Sequence, residues 1–91
     1  MKKRKIYFII NPISGTQKKV NLSEKIEQYI DKEQFEYDVF YTEYQHHARE
    51  ICENAVRNNV NIVVAVGGDG TINEVVNGIH GSEVLLGIIP Y

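Results

Sequence analysis

The stretch that decides the fold is residues 62–79, Ile-Val-Val-Ala-Val-Gly-Gly-Asp-Gly-Thr-Ile-Asn-Glu-Val-Val-Asn-Gly-Ile. Residues 62–66 are apolar without a polar break, which is typical of a strand covered on both faces. Residues 67–70 interrupt this run with three glycines and an aspartate. The apolar residues that follow repeat with helical spacing, at Ile72, Val75, Val76 and Ile79. The stretch therefore predicts a strand, a glycine-rich turn and a helix.

The segments on either side of this unit alternate in the same way. Strand-like runs occupy 5–10, 37–42 and 84–89, and we expect Pro90 to end the last of them. Apolar residues recur with helical spacing in 22–30, where Tyr29 falls on the predicted buried face, and again in 48–56. The order βαβαβαβ predicts an α/β, Rossmann-like three-layer domain in which right-handed crossovers connect the strands of a parallel sheet.

The composition fits one globular domain of 91 residues, with 43% hydrophobic and 24% charged residues. Ten Lys and Arg against twelve Asp and Glu give a net charge of −2, so we expect no nucleic-acid partner. Cys52 is the only cysteine, which excludes an internal disulfide and a thiolate metal cluster. The apolar run 6–10 is shorter than the roughly 7–15 residues of a signal-peptide core or the about 20 of a membrane span. We expect a cytoplasmic protein.

The loop from Gly67 to Thr71 is the most informative segment for chemistry. Glycines allow positive φ and let a ligand approach backbone N–H groups closely. Thr71 and Glu74 have the spacing of a capping box, which predicts that the helix begins at the end of this loop. A strand, a glycine turn and a helix N-terminus together make an anion site. The alternative is a tight turn that binds nothing.

Two common phosphate-binding motifs do not fit this loop. The Walker loop ends in Gly-Lys-Ser/Thr, and no lysine follows Lys32 in the chain. The dinucleotide fingerprint requires a third glycine at the position that Asn73 occupies.

Asp69 is an unusual residue for a loop that only holds phosphate. A carboxylate about 4 Å from a phosphate is repelled by roughly 1 kcal/mol in water and about 4 kcal/mol at an effective dielectric constant of 20. A helix N-terminus returns only about 0.3–1 kcal/mol, and at most about 2. Asp69 should therefore meet a cation, a hydroxyl or a bound water, as in metal-assisted phosphoryl transfer. The alternative is an aspartate that hydrogen-bonds its own turn.

A second polar loop, Asn11 to Gly15, follows the first strand in the equivalent place. Pro12 stiffens it, while Asn11, Ser14 and Gly15 offer small polar groups and exposed amides. If both loops contact one ligand, the first and third strands must be neighbours, which gives the strand order 2-1-3-4 with the site at the switch point.

These residues resemble the catalytic domain of diacylglycerol kinases and related lipid kinases, including sphingosine kinases. Four pieces match in the family's order and spacing across nearly all 91 residues: Asn-Pro-Ile-Ser-Gly at 11–15, Thr42 with His47-Ala48, residues 67–78, and Gly-Ile-Ile-Pro at 87–90.

The resemblance implies an ATP-dependent, Mg²⁺-dependent kinase that phosphorylates a lipid hydroxyl such as that of diacylglycerol. It implies a catalytic role for Asp69 and a nucleotide site formed by Asn11, Pro12, Ile13, Ser14, Gly15, Thr42, Gly67, Gly68, Asp69, Gly70, Thr71, Ile72, Asn73 and Glu74. In the family, the catalytic base, most metal ligands and the lipid cleft lie in later sequence. We therefore expect residues 1–91 to be the N-terminal part of the nucleotide-binding domain of a larger two-domain kinase, inactive alone. We assign no metal ligand within residues 1–91. We expect any peripheral membrane contact to involve the part of the kinase that follows them.

Other interpretations remain open at this point. Nicotinamide-nucleotide kinases share the glycine-aspartate-glycine loop, although 11–15 and Asn73-Glu74 favour lipid kinases. A non-catalytic α/β binding or scaffold module would use the same turns structurally. We expect His46 and His47 to form a polar helix start and Cys52 to be a core thiol. We also expect the apolar edge of the fourth strand to favour self-association, so a homo-oligomer is one possible state of the protein.

Overall fold

The computed structural model describes residues 2–12 and 22–90. Every strand pair in the sheet is parallel, and the strand order is β2-β1-β3-β4. The predicted α/β fold and strand order are therefore confirmed. The elements are β1 (Arg4–Ile10), α1 (Leu22–Tyr29), β2 (Phe35–Tyr41), α2 (His47–Arg57), β3 (Ile62–Gly67), α3 (Asp69–Ile79) and β4 (Leu85–Pro90).

The helices cover both faces of the sheet and so produce three layers. On one face, Ile6, Phe8 and Ile10 of β1 pack with Leu22 and Ile26 of α1. On the other face, the alternate residues of β1 and β3 pack beneath α2 and α3 in a larger cluster that includes Ile9, Val63, Ala65, Ala55 and Val75. Because the central strands β1 and β3 are buried on both faces, their sequences are apolar without alternation.

The close packing of α2 against α3 depends on Gly78. A Cβ atom at this position would lie 2.5 Å from the Cβ of Cys52 and 3.1 Å from the carbonyl oxygen of Arg49. Cys52 is fully buried in this interface, as expected for a core thiol. Burial, with smaller contributions from the carboxylates of Glu53 and Glu74, raises the pKa of the Cys52 thiol from its ordinary value of 9.0 to about 12.

One expectation about the ends of the elements is wrong, and one is confirmed. Tyr29 was expected on the buried face of the first helix, but it is 79% exposed. It lies at the end of α1, the one described helix on its face of the sheet, so no second helix covers it. β4 ends at Pro90 as expected; the proline is itself the last strand residue, because an edge strand tolerates a missing N–H.

The outer side of β4 carries exposed apolar side chains. Leu85 points to the α1 face, and Leu86 and Ile88 point to the α3 face, where Val76 of α3 is also exposed. Exposed apolar area beside a strand edge favours association; self-association through this surface stays a prediction. None of the described helices is long and apolar enough to cross a membrane.

Candidate functional site

The segments that follow β1 and β2, together with the first turns of α2 and α3, line a cavity of about 380 Å³. Ile10 at the end of β1 pairs with Tyr41 of β2 and with Val66 of β3, so the segments that follow these strands meet at one edge. The cavity lies at the switch point of the sheet, where ligands of open α/β domains bind. The residues on its wall that matter below are Asn11, Thr42, Tyr44, Gly70, Thr71 and Glu74.

The N-terminus of α3 presents backbone N–H groups that lack intrahelical partners at this edge. Gly68 is the N-cap, in an extended conformation (φ −89°, ψ −168°), and its carbonyl oxygen accepts the first intrahelical hydrogen bond from the Ile72 N–H at 3.1 Å. The N–H groups of Asp69, Gly70 and Thr71 therefore precede the helical ladder and have no intrahelical acceptor. Three such groups at the positive end of a helix are the kind of donors that bind an anion.

The predicted capping box is wrong. Thr71 lies in the first turn of α3 and is buried, so it is not the N-cap. Its hydroxyl instead accepts a hydrogen bond from the Asn11 side-chain amide at 3.4 Å, and the Glu74 carboxylate accepts one from the His46 backbone N–H at 3.3 Å. Both side chains thus connect α3 to the loops after β1 and β2. Thr71 and Glu74 have the spacing of a capping box, but their side chains join the walls of the cavity instead.

Gly70 has no structural requirement to be glycine. A Cβ atom at this position would meet nothing within 4 Å, and Gly81 is the one glycine among the described residues with positive φ. The glycine loop therefore does not use the left-handed conformation. Its missing side chain leaves open space beside the first turn of α3, where Gly70 borders the cavity.

Asp69 is exposed on the first turn of α3 and makes no hydrogen bond or ion pair with the rest of the described chain. The alternative in which its carboxylate bonds its own turn is therefore not what the structure shows. Asp69 lines a groove next to the cavity, together with Ile72, Asn73 and Val76, and Gly70 borders both.

The predicted site residues thus fall into three groups. Around the cavity lie Asn11, Pro12, Thr42, Gly70, Thr71 and Glu74. Along the neighbouring groove lie Asp69, Ile72 and Asn73. Gly67 and Gly68 form the turn behind both. Ile13, Ser14 and Gly15 lie outside the described residues.

The loop from Glu43 to His46 contributes residues that sequence reasoning missed. The imidazole of His47 accepts a hydrogen bond at Nδ1 from the Glu43 N–H (2.9 Å) and stacks on the Tyr44 ring with a centroid distance of 4.2 Å and an interplanar angle of 13°. The Tyr44 hydroxyl donates to Glu50 at 3.1 Å, and desolvation together with this carboxylate raises the Tyr44 pKa. His46 adopts φ 69°, ψ 4° as the N-cap of α2. The i, i+3 spacing of Tyr44 and His47 was the signal available in the sequence.

No three His, Cys, Asp or Glu side chains of the described residues converge to hold a metal ion. A Mg²⁺ ion bound through nucleotide phosphates needs only one or two protein carboxylates and keeps several waters. Asp69, exposed beside the helix N-terminus, is a donor of that kind.

Fold and site together define a parallel α/β domain with a cavity and the N-terminus of α3 at its switch point. The sequence profile of the diacylglycerol kinase catalytic domain matches residues 5–91, and the chain belongs to this family. It is 43% identical over 90 residues to a provisionally named lipid kinase of Streptococcus pneumoniae serotype 4, covering 96% of this chain and 30% of that protein. It is 36% identical over 84 residues to a diacylglycerol kinase of Staphylococcus haemolyticus, covering 90% and 26%.

A solved structure agrees with these matches. The crystal structure of a diacylglycerol kinase from Bacillus anthracis str. Sterne aligns with a TM-score of 0.73 and 26% identity, over 99% of this chain and 31% of that one. The chain thus spans about 30% of the length of the relatives it matches. The predicted resemblance is confirmed, and membership in a kinase family implies use of a nucleotide.

Proposed function

We propose that the protein carrying this chain transfers the γ-phosphoryl group of ATP to the hydroxyl of a lipid such as diacylglycerol, and that residues 1–91 supply part of the ATP site. Family membership supports the reaction class, and the relatives' names support the lipid acceptor. One observation carries the assignment of the site. Gly70 lies in the first turn of α3, lines the cavity at the carboxyl ends of the strands, and has unoccupied space where a side chain would be.

The phosphates of ATP bind at the N–H groups of Asp69, Gly70 and Thr71. These donors point out of the helix end, and the helix dipole adds about 0.3–1 kcal/mol for an anion there. A side chain on Gly70 would occupy the space that the phosphates need. Asn11 holds the loop after β1 against this end of α3 through the Thr71 hydroxyl, so both loops contact one ligand.

Asp69 holds the Mg²⁺ ion that accompanies the nucleotide. Its exposed carboxylate beside the phosphates would otherwise be repelled by roughly 1 kcal/mol in water and about 4 kcal/mol at an effective dielectric constant of 20. A divalent cation held by Asp69 would make this contribution favourable. When bound, Mg²⁺ would neutralise charge on the transferring phosphoryl group. Within this chain, Asp69 would be the residue that holds the ion.

The acceptor hydroxyl and the membrane contact that a lipid substrate requires are assigned to the rest of the protein. The choice of diacylglycerol rests on the family and on the names of the relatives.

The test is phosphoryl transfer by the whole protein. Purified protein is incubated with γ-labelled ATP, Mg²⁺ and diacylglycerol in mixed micelles, with a nicotinamide nucleotide as the competing acceptor, and labelled products are separated. We expect label in phosphatidic acid, and a decrease of about a hundredfold in the Asp69→Asn variant. Asp38→Asn, an acid on β2 paired with Lys5, is the matched control and should retain activity.

Three results would contradict the proposal. Label in the nicotinamide nucleotide alone would indicate the other kinase class. No ATP-dependent thermal shift, where a ligand at a hundredfold excess over its Kd adds about 2.7 kcal/mol, would favour a scaffold module. Full turnover in Asp69→Asn would remove Asp69 from the mechanism.

A further inference from the structure

Tyr44 is an exposed aromatic ring that the structure holds in one orientation. One face of the ring lies on the imidazole of His47, and the hydroxyl donates to the Glu50 carboxylate. The His47 N–H donates to the Tyr44 carbonyl oxygen at 3.1 Å, which fixes the main chain as well. The residue is nonetheless 55% exposed. His47 covers one face of the ring, which leaves the opposite face for a partner.

This arrangement is not explained by packing. A tyrosine that serves the core buries most of its ring, and Tyr44 packs in neither apolar cluster of the described residues. A ring fixed before a ligand arrives loses little entropy on binding, and tyrosine supplies a large flat contact at low cost in rotamer freedom. The ring is therefore prepared for a flat partner.

Tyr44 and the N-terminus of α3 border the same cavity. Gly70, Thr71 and Tyr44 all lie on its wall, together with Thr42, the residue after β2. The His46 N–H bond to Glu74 ties the Tyr44 loop to α3, so the spacing between the anion site and the ring is held. A ligand with phosphates at one end and an aromatic ring system at the other matches these two features.

We propose that Tyr44 stacks against the nucleobase of the phosphoryl donor and sets its preference for purine nucleotides. The inference rests on the proposed function, because it places the base of the nucleotide whose phosphates bind at α3. Base–aromatic stacking needs only the face of the base and strengthens with its area, so purines gain more from it than pyrimidines. His47 supports the ring from behind, and Glu50 holds its hydroxyl.

The experiment separates binding of the base from binding of the phosphates. In the whole protein, KM and kcat are measured for ATP and CTP, and inhibition by inorganic tripolyphosphate reports the phosphate site without a base. We expect Tyr44→Ala to raise the KM for ATP about tenfold, with kcat and tripolyphosphate inhibition within twofold of the wild type. The advantage of ATP over CTP should fall by a similar factor. Tyr44→Phe keeps the ring and should stay within about threefold.

Tyr29→Ala is the control, because Tyr29 is an exposed tyrosine on α1, across the sheet from α2 and α3. A Tyr44→Ala variant with the wild-type KM for ATP would overturn the inference and leave the proposed function intact. So would equal weakening of ATP, CTP and tripolyphosphate, which would mean that Tyr44 only supports the loop. A wild-type protein that neither transfers phosphate from ATP nor binds it would overturn the proposed function and this inference together.

Discussion

The side-chain amide of Asn11 donates a hydrogen bond to the hydroxyl of Thr71 at 3.4 Å, across a separation of 60 residues in sequence. This bond joins the segment after β1 to the first turn of α3, at the edge where β1 and β3 end side by side. It places the two loops that carry the family's matching residues on one cavity wall.

Thr71→Val tests this connection. Valine keeps the shape of the buried side chain but cannot accept the hydrogen bond from Asn11. We expect the free energy of unfolding to fall by about 1 kcal/mol, the usual net contribution of such a bond. Urea denaturation of the whole protein with an unchanged m-value is the measurement. An unchanged midpoint would mean that the bond contributes nothing to holding the two loops together.

Gly70→Ala should affect binding and stability in opposite directions. The fold has room for a Cβ atom at this position, and alanine is favoured over glycine in a helix by up to about 1 kcal/mol, so the variant should be as stable as the wild type or more so. The methyl group would nevertheless occupy the space in front of the helix amides. We expect the KM for ATP to rise at least tenfold, measured beside the melting temperature. Unaltered ATP kinetics would mean that no phosphate approaches Gly70.

Gly78→Ala should lower the stability of the fold and leave ATP binding nearly unchanged. Its Cβ would lie 2.5 Å from the Cβ of Cys52, so α2 and α3 must separate. Overpacking of this kind costs about 1–3 kcal/mol. We expect a lower melting temperature together with a nearly normal KM for ATP in the folded fraction. A melting temperature equal to that of the wild type would show that the two helices can move apart without cost.

Much of the fold could be predicted from sequence, because the decisive residues act locally or by simple burial. The unbroken apolar runs 6–10 and 62–66 identify the strands that lie inside the sheet, and with four strands this fixes β1 and β3 as neighbours. The residues that follow them must then share an edge.

The details of the site depend on tertiary partners that no local pattern shows. Thr71 and Glu74 have the spacing of a cap, but Gly68 already has the extended backbone that an N-cap requires, and the two side chains bond other loops instead. Between the stacked residues Tyr44 and His47, His46 adopts the left-handed region, a conformation uncommon for any residue other than glycine.

The Cys52 thiol should be inert in the native protein. Burial raises its pKa from 9.0 to about 12, so almost none is thiolate at pH 8. In the unfolded chain the thiol ionises near its ordinary pKa, and the unfolded state loses its proton first as the pH rises. Its contribution to the free energy of unfolding is thus complete below about pH 9 and declines between pH 9 and 12.

The measurement is the rate of iodoacetamide alkylation at pH 8 with and without urea. We expect modification of Cys52 only under unfolding conditions, and a Cys52→Ala variant serves as the blank. Rapid labelling of the folded protein would contradict the burial of this thiol between α2 and α3.

The assignment of the ATP phosphates to the α3 N-terminus is tested most directly by the amide resonances of the whole protein, labelled with ¹⁵N and titrated with Mg-ATP. The predicted result is a saturable shift of the Asp69, Gly70 and Thr71 amides, with those of Asn58 and Asn61 at the opposite edge of the sheet unmoved. The assignment would be contradicted if Mg-ATP saturated the protein while the amide resonances of residues 69–71 stayed at their positions in the ligand-free spectrum.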